Sequence, residues 1–90
     1  MTTTSLLTLT GVLVNATMGI DDGRLVVTLR DQAGAEHTII GSGDLAYRLW
    51  ESTFNDRQRP TGWVAHYDIG VREHSDELWL VSFSGAWVQP

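Results

Sequence analysis

Three histidines, His37, His66 and His74, are the side chains of this chain that titrate near neutrality. His66 and Asp68 are two apart, so on a strand they share a face and can orient one another or hold a metal between them. A metal or general-base site needs a third convergent group. His74 follows in the next turn, and nothing in the spacing requires it to converge, so a solvated polar strand face accounts for the pair. His37 has the parity of Ile39, which points to a partly buried histidine with one hydrogen bond rather than a ligand. Gly41-Ser42-Gly43 precedes a helical pattern whose first amides could face an anion. It lacks the lysine and the length of a phosphate loop, and a strand-to-helix connection with a cap explains it. Asp21-Asp22-Gly23 lacks the alternating oxygen ligands and the terminal glutamate of an EF-hand, whereas Asp-Gly is a hairpin-turn signal. The chain has no cysteine, so it can form neither a thiolate site nor a disulfide. No serine sits in a nucleophile-elbow sequence. No residue is therefore assigned a catalytic, metal or cofactor role, and the expectation is a protein that is not an enzyme.

The charge pattern carries more information. The ninety residues have a formal net charge of -5, and every basic residue is an arginine: Arg24, Arg30, Arg48, Arg57, Arg59 and Arg72. Proteins that grip phosphate backbones usually gather cations on one face, and no such gathering is visible here. The same deficit argues against anionic membranes, and no segment is apolar for long enough to span a bilayer. The stretch from Leu6 to Ala16 has the apolarity of a signal-peptide core, and Val14-Asn15-Ala16 resembles a weak cleavage site. No Lys or Arg precedes it, however, and Thr8 and Thr10 interrupt it. It reads as a strand, and the protein is expected to be cytoplasmic, where a chain without disulfides is at home. The sequon Asn15-Ala16-Thr17 is a chance match.

The elements follow from hydrophobic periodicity. Met1 to Ser5 is a polar end expected to fray. Leu6 to Asn15 is a strand with Leu7, Leu9 and Leu13 on one face, and Gly11 at its midpoint is a place for a bulge or bend. Ala16 to Gly23 is a loop. Arg24 to Arg30 alternates cleanly, with Leu25, Val27 and Leu29 inward. A turn at Asp31-Gln32-Ala33-Gly34 leads to a short strand, Glu36 to Ile40. Asp44 to about Asn55 is a helix, with Ser42 or Asp44 at its start and Leu45, Leu49, Trp50 and Phe54 as its buried stripe. After a break at Gln58 to Gly62, Trp63 to Val71 is a fourth strand. Arg72 to Glu77 is a charged turn. Leu78 to Val88 is the fifth strand, with Trp79, Val81, Phe83 and Trp87 on one side. Of the four tryptophans, Trp50 and Trp63 are expected in the core, and Trp87 is expected to be partly exposed. With 42% hydrophobic residues, one domain spanning residues 1–90 can build one core.

The order β-β-β-α-β-β resembles the OB-fold, a five-stranded barrel whose helix lies between strands three and four. The alternative is a curved antiparallel sheet packed on one helix. The resemblance implies a binding face on strands two and three, flanked by the loops before strand two and before strand five. That face would show Arg24, Val26, Thr28, Arg30, Glu36, Thr38 and Ile40, with no aromatic on which a base could stack. Its flanks carry Asp21 and Asp22 on one side and Glu73, Asp76 and Glu77 on the other, which would repel a polyanion. The expectation is a small protein–protein binding module, an inhibitor or accessory factor of the phage or immunity type. Its partner would carry a basic patch, as a nucleic-acid-handling protein does. Asp21, Asp22, Arg24, Val26, Arg30, Ile40, Glu73, Asp76 and Glu77 are the candidate partner-binding residues. Binding of single-stranded nucleic acid is the second reading, and a homo-oligomer pairing through a strand edge is the third.

Overall fold

In the computed structural model, which describes residues 6–19, 22–53 and 62–89, five strands and one helix follow in the expected order. They are β1 (Leu6–Met18), β2 (Leu25–Asp31), β3 (Glu36–Gly41), α1 (Gly43–Thr53), β4 (Val64–His74) and β5 (Glu77–Val88). The strands run β1-β2-β3-β5-β4 around a closed barrel, so the barrel holds rather than the open sheet. All pairings are antiparallel except β3 with β5.

β1 closes the ring because it serves two partners. Its first half pairs with β4, from Leu6↔Arg72 to Val12↔His66, and its second half pairs with β2, from Gly11↔Asp31 to Met18↔Leu25. Gly11 stands where the two ladders overlap, and a Cβ there would run into the Arg30 carbonyl oxygen. Its use is therefore close backbone approach. The bulge itself falls three residues later, at Val14 between Leu13 and Asn15, and it swings Ala16 and Met18 onto the inner side with Leu9 and Leu13. This is why the strand continues to Met18, past the expected end at Asn15.

The inner residues of β2 and β4, Leu25, Val27, Leu29, Ala65, Tyr67, Ile69 and Val71, form the core with Leu13, Ile39, Ala46 and Leu49. On the helix the fully buried positions are Ala46, Leu49 and Thr53, so the stripe is rotated from the expected one. Thr53 satisfies its hydroxyl on the Leu49 carbonyl at 2.7 Å. Trp50 is half-buried against the core, and Phe54 lies outside the described residues. Trp63, expected inside, is 38% exposed. It precedes β4, and the inward parity of that strand starts only at Ala65.

β5 departs from simple alternation. Gly70 pairs with Ser82 but Val71 with Leu80, so Val81 is an extra residue. A bulge inverts the side-chain parity beyond it. Leu78 and Leu80 pack inward before it, and Phe83 and Trp87 after it. Trp79 is thereby on the outer face, on the other side from Phe83 and Trp87, with which it was expected to share a face. The expected turn at Arg72 to Glu77 is tighter than its charge suggested. Only Ser75 and Asp76 form it, with φ of 52° and 63°, and His74 pairs directly with Glu77. Positive φ at both central positions is the geometry whose twist suits a two-residue hairpin.

Candidate binding face

The outward residues of β2 are Val26, Thr28 and Arg30, those of β3 are Glu36, Thr38 and Ile40, and the ladder sets them in pairs: Val26↔Ile40, Thr28↔Thr38 and Arg30↔Glu36. The parallel pairing of β3 with β5 adds Trp79 beside Ile40, and β4 adds Arg72 beside Trp79. One row thus crosses four strands: Val26, Ile40, Trp79, Arg72. Arg24 comes from the loop before β2, and its guanidinium lies 5.6 Å from the centre of the Trp79 ring. That is a cation–π distance, worth about 0.5–1 kcal/mol at exposed sites. The Arg24 backbone N–H is held by the Asp22 carboxylate at 3.0 Å, which fixes where the side chain departs. Ile40, expected to be presented on the surface, is only 9% exposed. It lies between Val26 and Trp79 in the row and acts as the floor of the patch. The indole N–H of Trp79 is shielded from water and has no hydrogen-bond partner among the described residues, a cost a buried donor rarely bears.

Arg30 takes no part in this patch. It donates to Glu36 across the ladder at 2.9 Å, with both side chains about half exposed, so its charge is answered locally, at a stabilisation of about 0–1 kcal/mol. Glu73, Asp76 and Glu77 are exposed around the β4–β5 turn. Glu73 and Glu77 are ladder residues opposite Leu78 and His74, not loop residues. Asp21 lies outside the described residues, as do Arg57 and Arg59. Of the candidate residues, the structure joins Arg24, Val26 and Ile40 into one patch, with Asp22 bonded to the Arg24 backbone. It places Arg30 two pairs further along the ladder and leaves the acidic trio at the hairpin.

The histidines disperse. His66 pairs with Val12 and Ala86, and the Asp68 carboxylate accepts from Thr10 at 2.7 Å. His74 is exposed at the hairpin end. Among the described residues no three His, Asp or Glu side chains gather as metal ligands would. His37 is partly buried and meets the Asp31 carboxylate at 2.8 Å, as its parity implied. The other Asp31 oxygen accepts the backbone N–H groups of Ala33 and Ala35. The His37 bond first, then the Ala35 amide, hold the Asp31 carboxyl below its ordinary value. The whole arrangement braces the β2–β3 turn.

Trp79 is the functional candidate that strand periodicity missed. A signal was present: Leu78 and Leu80 share one parity, and Phe83 and Trp87 the other. An apolar run whose inward residues change parity requires a bulge, and a bulge after Leu80 puts Trp79 outside. Comparison with protein-family models, with curated proteins and with solved structures gives no match.

Proposed function

We propose that this protein is a non-enzymatic binding module that engages a protein partner through the patch centred on Trp79. The observation that carries the reading is the stacking of Arg24 on Trp79 over an apolar floor of Ile40 and Val26. Tryptophan and arginine dominate the energetic centres of protein interfaces, which are ringed by polar groups that exclude water. Asp22, Asp76 and Glu77 supply carboxylates to that surround, and the chain's net charge of -5 favours a partner with a basic surface. A small inhibitor or accessory factor of a nucleic-acid-handling protein is the class that fits, with the cytoplasm as its compartment.

Trp79 also gives support to single-stranded nucleic acid as a ligand, because an indole beside an arginine is a platform for a base and its phosphate. The carboxylates and the pairing of Arg30 with Glu36 weigh against it. Two measurements separate the readings. Parent, Trp79→Ala and Arg48→Ala baits are compared against extract of the source cells. A protein retained by the parent and by Arg48→Ala but lost with Trp79→Ala identifies the partner and the face together. The parent is also titrated with an oligothymidine while tryptophan fluorescence is followed. Micromolar or tighter binding in about 0.15 M salt, where non-specific affinity is typically 10⁻⁴–10⁻⁶ M, abolished by Trp79→Ala, would assign the face to single strands instead. Replacing Glu73, Asp76 and Glu77 by lysine supplies the sign: association with a basic protein slows, whereas oligothymidine binding strengthens.

A further inference from the structure

Cations are scarce on this chain, six against eleven side-chain carboxylates, and the fold uses them unevenly. Arg30 is bonded to Glu36 at 2.9 Å, and Arg48 lies 3.5 Å from Asp44. Arg24 and Arg72 have no carboxylate at ion-pair distance and no side-chain hydrogen bond among the described residues, and both are exposed. They flank the same indole. Arg72 is the ladder partner of Trp79 on β4, a pairing that sets Cβ atoms about 4.5–5.5 Å apart. Arg24 reaches the ring from β2, 5.6 Å from its centre. Since β3 and β5 stand between β2 and β4 in the barrel, the two cations approach from opposite sides.

We infer that this pair receives a carboxylate, the side chain of a glutamate or aspartate that the protein partner seats over Trp79. This rests on the Trp79 patch being a protein interface, and it specifies the partner's central residue. Two guanidiniums that share one indole repel each other, and an anion between them attracts both. A guanidinium resting on an indole keeps N–H donors at its planar edge, in the fork that a carboxylate accepts bidentately. The chain's own nearby carboxylates are engaged elsewhere: Asp22 accepts the Arg24 backbone N–H, and Glu77 pairs with His74 at the hairpin end. The patch is thus cationic at its centre and acidic at its rim, where Asp22, Asp76 and Glu77 are exposed. Its complement is one acid inside a basic surround, which agrees with a basic partner for a chain of net charge -5. A nucleic-acid strand would satisfy the centre with one phosphate and bring the next ones against the rim carboxylates.

Two capped peptides test the site. Each has a pair of lysines at either end and a leucine on both sides of a central residue, which is glutamate in one and glutamine in the other. The Trp79 indole N–H resonance, identified by its loss in Trp79→Ala, reports binding by NMR up to millimolar peptide. The glutamate peptide is expected to bind about three- to tenfold more tightly, the combined effect of two exposed ion pairs. Arg72→Glu and Arg24→Glu should each abolish or reverse that preference, and Arg48→Glu, on the helix, should keep it. The comparison of the two peptides on the parent needs no variant, so it stands if a variant fails to fold. Equal affinities, or tighter binding of the glutamine peptide, overturn the carboxylate site and leave Trp79 as an interface. A preference that survives both reversals at Arg24 and Arg72 overturns it too. So does a Trp79 resonance that neither peptide moves, and the interface is then judged separately, by whether Trp79→Ala loses the protein that the parent retains from extract. Inorganic phosphate that shifts the resonance at lower concentration than the glutamate peptide assigns the arginines to phosphate and rejects the carboxylate.

Discussion

Replacing Gly85 by alanine tests how the β4–β5 ladder meets the core. Gly85 pairs with Tyr67, and the Tyr67 ring lies directly on it: a Cβ at position 85 would stand 2.6 Å from Tyr67 Cγ and 2.5 Å from the His66 carbonyl oxygen. Neither neighbour yields easily. Tyr67 is 3% exposed, its ring packs on Phe83 at 6.1 Å between centroids, and its hydroxyl lies 3.1 Å from that of Ser52 on α1. The His66 carbonyl belongs to the strand itself. Gly85 has no unusual φ to preserve, so alanine would by itself help, by about 0.4–1 kcal/mol through the unfolded chain. Overpacking opposes this with a cost of typically about 1–3 kcal/mol, and backbone contact of this closeness belongs at the upper end. The net expectation is a loss of about 2–2.5 kcal/mol. Urea unfolding followed by tryptophan fluorescence should show a midpoint lower by on the order of 1 M, given slopes of about 1–3 kcal/mol per molar for small proteins. Tyr67→Leu in the same background removes the ring contact, so the double substitution should cost less than the sum of the two. A midpoint for Gly85→Ala equal to or above that of the parent would refute the reasoning, because it would mean that β5 can move off Tyr67 at no cost.

Leu49→Ala should destabilise the fold by about 2–5 kcal/mol, since Leu49 is fully buried. Trp50→Ala should cost clearly less, and chemical denaturation of both ranks them; the reverse order would mean that α1 is turned wrongly on the barrel. Asp31→Asn should lose stability at neutral pH. Because folding lowers the carboxyl pKa of Asp31 from its ordinary 3.8, the stabilisation is complete above that value and disappears as pH falls through the folded-state pKa. Thermal melts of parent and Asp31→Asn should therefore differ at pH 7, begin to approach one another only as pH falls below 3.8, and converge below the still lower folded-state pKa; a gap that stays constant with pH would assign the loss to the turn's shape and not to the charge.

The element order and the inner faces of β2 and β4 were legible in the sequence because simple alternation determines them: Leu25, Val27 and Leu29, and Ala65, Tyr67, Ile69 and Val71, are inward as read. What escaped reading depends on pairing partners. Val14 and Val81 are bulges only in relation to the strands opposite them, and the shift at Val81 decides on which side Trp79 emerges. Trp63 looked like core by its type, but the structure places it just before the strand whose parity would have buried it. The patch was half legible. Val26 and Ile40 share a face by parity, whereas the approach of Arg24 to Trp79 joins residues that the chain separates by three strands and a helix. Arg30 was read as a partner-binding residue, and its bond to Glu36 was not visible because it exists only in the β2–β3 register.

The double service of β1 has a consequence for how the molecule assembles. Its second half can pair with β2 as soon as the first hairpin exists, a local event. Its first half must wait for β4, since Leu6 finds Arg72 and Leu9 finds Ile69 only after nearly the whole chain is present. Ring closure is thus the step with the largest loop-closure entropy, and topologies dominated by such distant pairings fold in about milliseconds to seconds. On a ribosome adding about 5–20 residues per second, Leu6 to Thr10 stays uncovered on both edges for seconds before its barrel partner emerges. Rapid docking of β4 once it appears is then what protects the nascent chain from strand-to-strand aggregation. Substitutions that weaken the β1–β4 ladder should lower soluble yield during synthesis more than they lower the stability of the finished fold.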